Sequence, residues 1–187
     1  MVFSLFRRRN RSAETVAHAL YLKVCDAARQ PALFQEGLVP DTVDGRFEAI
    51  TLHTHLVLRQ LSQSSAPPEV GQALFDTLFH DMDQSLREIG ISDVVLGKEI
   101  KKMAEGFFGR AEAYELGLRG TDEELAGAVR RNLLGTRQTE TSEAAVVTLA
   151  HYIRRQVAHL AAQAPSDIIA GKIEFAPAAI DAPPALS

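Results

Sequence analysis

Asp76, His80 and Asp83 are the residues in this 187-residue chain whose types and spacing come nearest to chemistry. On a helix, positions i, i+4 and i+7 share one face, with Cβ atoms about 5–6 Å apart. Two carboxylates and an imidazole so placed could ligate a metal, and a metal-dependent enzyme using that face is one reading. The other is a solvated face whose acids pair locally with Arg87, one further turn along. That second reading is preferred, because no facing segment supplies a companion pattern such as Glu-x-x-His. His53 and His55 are two apart, point to opposite sides of a helix, and read as core or boundary residues. Cys25 is the single cysteine, so it forms no intrachain disulfide and reads as a small buried side chain.

Other motifs with a mechanism are missing. There is no Walker loop, no Rossmann glycine fingerprint, no Cys-x-x-Cys, no Gly-x-Ser-x-Gly and no His-Glu-x-x-His. The sequence therefore predicts no catalytic residues, no metal and no cofactor. A net charge of -4 and a pI near 5.9 argue against direct nucleic-acid binding, which usually shows a basic domain. No run approaches the roughly 20 apolar residues of a membrane span. The expectation is a soluble chain.

The elements that would position these residues are helical. Residues 1–10 read as a flexible arm, in which Phe3 and Phe6 beside Arg7, Arg8 and Arg9 could rest on an anionic membrane surface. Ser12 is the expected N-cap of a first helix of about fifteen residues, with Val16, Leu20, Val24 and Ala27 as its stripe. Residues 31–46 read as an ordered loop whose Leu33, Phe34, Leu38 and Val39 pack on the core. A second helix over about 43–61 is apolar on most sides, which predicts a central place in the bundle. A third runs from Pro68 to about Ile89, stopped by Gly90 in the left-handed conformation. Its apolar arc holds Phe79 and Met82, and Asp81 sits at the border, where a carboxylate needs a partner.

A fourth helix runs from Ser92 or Asp93 to about Leu118. Gly106, Gly109, Ala113 and Gly117 cluster on one side of it. Each interior glycine costs about 1 kcal/mol against alanine, so the row predicts a close backbone approach. Either one of this chain's own helices or a partner helix could fill that groove. Thr121 and Glu124 form a capping box for a fifth helix to about Leu134, and a last helix starts at Thr141 or Ser142. The prediction is an all-α, helical-bundle-like domain of about six helices over 11–163. An Ala/Pro-rich tail follows at 164–187, with a short extended piece at its start.

Four segments carry a family likeness: VPDTVDGRFE at 39–48, LHTHLVLRQL at 52–61, ALFDTLFHDMDQSLREIGISD at 73–93 and KKMAEGFFGRAEAYE at 101–115. In order and spacing they resemble the ubiquinol–cytochrome c chaperone family over roughly residues 35–120. Phe108 stands where many members have Tyr, and Ile89 where Met is common. The resemblance implies a non-enzymatic assembly factor for the cytochrome bc1 complex that binds newly made cytochrome b. It also implies work at the cytoplasmic face of a bacterial inner membrane, with a ribosome contact and a small partner protein known among mitochondrial members. A peripheral membrane scaffold that recognises lipid is the remaining alternative. On this basis Phe79, Gly106, Phe107, Phe108 and Gly109 are the expected client surface. Arg46, Asp81, Asp83, Lys101 and Arg110 are expected to form a polar network holding the second and fourth helices around the third.

Overall fold

Ten consecutive residues of one helix, Glu48 to Val57, are buried, and the other helices are arranged around them. That helix is α2 (Val43–Gln63), in a computed structural model that describes residues 2–35, 37–136 and 141–178, with side chains from Ser12 onward. The rest of the bundle is α1 (Val2–Ala28), α3 (Pro68–Glu88), α4 (Asp93–Arg119), α5 (Asp122–Arg131), α6 (Glu143–Ala161) and the short α7 (Pro165–Ile169). No strand is present among the described residues. α2 touches α1, α3, α4 and α6, so the expected central helix is indeed central. No described helix is long and apolar enough to cross a membrane.

Local chemistry sets most boundaries. Thr42 caps α2 by accepting from the Gly45 amide at 3.1 Å. Pro68 opens α3. Gly90, at φ +89°, closes it as a Schellman motif: the Ile91 amide donates to Leu86 O and the Gly90 amide to Arg87 O. Thr121 and Glu124 form the expected capping box of α5. The loop before α2 contains a 3-10 turn, Pro31–Phe34, and buries Leu33, Leu38 and Val39.

Two boundaries differ from expectation. α1 begins at Val2 rather than after Ser12, because no glycine or proline interrupts the intervening residues. The side chains of the expected arm, Phe3, Phe6, Arg7, Arg8 and Arg9, lie outside the described residues. α5 stops at Arg131, short of Leu134. After α7 the chain runs extended over 172–178 along α6, held by two side-chain amides. Gln156 pairs with the backbone of Ala176 at 2.8 and 2.9 Å, and Gln163 with that of Glu174 at 2.9 and 2.6 Å.

The histidines of α2 lie in the core. His53 Nδ1 is 2.7 Å from the Ala49 carbonyl, which can only accept, so Nδ1 carries the proton and Nε2 accepts from Tyr152 Oη at 2.7 Å. His55 stacks on Tyr114 with ring centroids 6.2 Å apart. Burial lowers both pKa values from 6.5 to about 4. As pH falls below 6.5 the unfolded chain takes up protons first, so each histidine removes about 1.4 kcal/mol of stability per pH unit until about pH 4. The melting temperature should therefore decline across that window, and His53→Gln should flatten the decline. An unchanged slope in that variant would contradict the assignment.

Candidate functional site

The α2–α4 seam contains a buried ion pair. Glu48 is 3% exposed, and Arg110 donates to it through Nε, at 2.6 Å from Oε2, and through Nη2 to Oε1. Arg110 Nη1 also donates to Gly106 O at 3.0 Å. The hydrogen bonds to Glu48 push the Arg110 pKa up further. About two and three turns along α2 from Glu48, the seam continues with His55 on Tyr114 and with Arg59 Nε donating to Glu115 Oε2 at 2.9 Å.

The Glu48–Arg110 pair lines an open groove of about 660 Å³ between α2, α3 and α4. Its apolar lining includes Phe47 and Ile50 from α2, Met82 and Leu86 from α3, and Met103 from α4. Val43 and Ile89, both mostly exposed, stand at its mouth. The volume falls in the range of ligand or side-chain pockets. The two thioethers let such a surface adapt to irregular apolar shapes.

The expected client surface divides between core and exterior. Phe79 and Phe107 are buried and pack edge-on or tilted around Phe75, so they are core residues. Phe108 is 61% exposed and stacks on Phe75 at 5.3 Å. The glycine row also divides. A Cβ on Gly117 would lie 2.5 Å from Leu125 Cα, so at that end this chain's own α5 makes the close approach. A Cβ on Gly109 would meet nothing within 4 Å, and Gly109 lies on a second, polar-rimmed hollow between α4 and α5. Gly106 belongs to the apolar groove instead, under the Arg110 side chain.

The five residues expected to form one polar network make five separate interactions. Arg46 pairs with Asp41 at 2.6 Å, and Asp83 with Arg87 at 2.7 Å. Lys101 stands 3.9 Å from Glu105, and Arg110 binds Glu48. Asp81 has its required partner, but on α1: the Tyr21 hydroxyl donates to it at 2.7 Å. The correction has a simple cause. On a helix, positions 81 and 83 point about 160° apart, so they cannot serve the same interface. The Asp76–His80–Asp83 face is solvated, with Asp76 accepting from Gln72 at 2.8 Å. Among the described residues, no three His, Cys, Asp or Glu side chains gather as a metal site would require.

Comparison with known proteins gives three concordant matches. A family model described as ubiquinol-cytochrome C chaperone matches residues 35–175. The ubiquinol-cytochrome-c reductase complex assembly factor 1 of Xenopus laevis is 27% identical over 128 residues, which is 68% of this chain and 63% of that protein. The chain thus spans less than two thirds of that relative's length. The crystal structure of the Cbp3 homolog from Brucella abortus superposes with a TM-score of 0.78 at 30% identity, covering 95% of this chain and 98% of that one.

Proposed function

The chain belongs to the ubiquinol–cytochrome c chaperone family, a family of chaperones rather than enzymes, and from that premise we propose that it assists assembly of the bc1 complex by binding newly made cytochrome b. The observation that carries the proposal is the groove between α2, α3 and α4. Before assembly, a membrane protein's apolar helices lack their partners. A chaperone for them needs an apolar, adaptable surface that covers them and lets go. Met82, Leu86, Ile89 and Met103 offer such a surface, in reach of a bulky client side chain. The Glu48–Arg110 pair, part of the groove lining, ties α2 to α4 there. Work at the cytoplasmic face of the inner membrane is part of the same proposal.

The test is genetic and biochemical. Cells of the source organism lacking this chain should lose assembled bc1 complex on native gels, and the wild-type chain should restore it. Leu86→Asp with Met103→Asp should fail to restore it while accumulating as folded protein. Full restoration by that variant would remove the groove from the proposal. Normal bc1 levels without the chain would remove the proposal itself.

A further inference from the structure

Among the described residues, the turn between α3 and α4 exposes aliphatic side chains. Val94 is 93% exposed, Ile89 66% and Val95 44%, all within seven residues. The turn is also held firmly. Arg87 bridges Asp83 on α3 to Asp93 at the start of α4, and Gly90 fixes the Schellman closure.

Three lysines follow on the outer face of α4. At about 100° per residue, Lys98 and Lys101 fall about 40° and 20° to either side of Val94, and Lys102 falls about 20° from Val95. They stand about 6–10 Å further along the axis. All three are exposed. Lys98 and Lys102 make no ion pair among the described residues, and Lys101 has only the long contact with Glu105. Of the nearby acids, Asp93 is tied to Arg87 and Glu99, like Lys102, lines the groove, which leaves Glu88 and Glu105 facing solvent.

We propose that this turn is a membrane-contacting tip, in which Ile89, Val94 and Val95 enter the acyl boundary of an anionic bilayer while Lys98, Lys101 and Lys102 meet its phosphates. Three side chains on a convex tip cover far less than the roughly 1,000 Å² that a specific protein interface needs. They match the shallow insertion, about 5–10 Å deep, of interfacial segments with a basic collar. Ile89 belongs to both tip and groove, so a docked tip brings the groove mouth to the bilayer surface.

The chain has no tryptophan, which makes a direct probe available. Val94→Trp should shift its emission to the blue, and be quenched by brominated lipid, when vesicles of phosphatidylglycerol and phosphatidylethanolamine are added to the full chain. Leu116→Trp, at a position also mostly exposed, lies about 33 Å away along α4 and should not respond. Val94→Asp with Val95→Asp should weaken vesicle partitioning at least tenfold with an unchanged melting temperature. Replacing the three lysines by glutamine should abolish the preference for anionic over neutral vesicles. No shift at position 94, an equal shift at 116, or partitioning that survives the aspartates and vanishes on deleting residues 2–11 would overturn the proposal. The vesicles contain no client, so the outcome is independent of the cytochrome b reading.

Discussion

Gly117→Ala is expected to destabilise the chain by about 3 kcal/mol, whereas Gly109→Ala, eight residues earlier on the same helix, is expected to leave stability unchanged or raise it. At Gly117 the added carbon would lie 2.5 Å from Leu125 Cα and 2.7 Å from Leu125 N. These are backbone atoms of α5, and Leu125 is fully buried, so neither helix can yield locally. α4 and α5 must move apart, opening a contact whose Leu125 and Gly117 are both buried. At Gly109 nothing lies within 4 Å, and the substitution gains up to about 1 kcal/mol of helix propensity. For a domain of this size the pair should differ by about 10 °C in melting temperature. Equal shifts would mean that the α4–α5 contact is not as described.

The second large effect concerns the seam that lines the groove. Arg110→Ala is expected to cost about 3 kcal/mol, at the low end for breaking a buried pair because Arg110 is itself partly exposed. The loss comes chiefly from stranding the Glu48 carboxylate, not from the attraction removed. Replacing both partners, Glu48→Leu with Arg110→Met, should therefore recover most of the stability lost in the single variant. Chemical denaturation of the wild type, both singles and the double closes the cycle. A double variant as unstable as Arg110→Ala alone would contradict this account.

These two sites show where the sequence was legible. Helix ends were, since Pro68, Gly90 and the Thr121–Glu124 box act within one turn of themselves. The central place of α2 was also legible, because apolar residues on every side leave no face for water. Pairings across the fold were not. Glu48 lies between Phe47 and Ala49 with no local mark, and its partner is 62 positions away. A faint signal existed: Glu48, Thr51 and His55 recur at helical spacing within the apolar middle of α2, as Arg110 and Tyr114 do on α4. The glycine row was read as one groove, yet its ends serve different neighbours, since angular position on one helix says nothing about what lies opposite. The apolar groove is built from three helices, so no single periodicity could reveal it.

Site-specific photocrosslinking tests the central claim most directly. A photoreactive amino acid placed at Met103, inside the groove, should yield a covalent adduct with cytochrome b in cells assembling the bc1 complex. The same probe at His159, exposed on α6 well away from the groove, should yield none. An adduct at His159 with none at Met103 would contradict the account, because cytochrome b would then be held by a face other than the α2–α3–α4 groove.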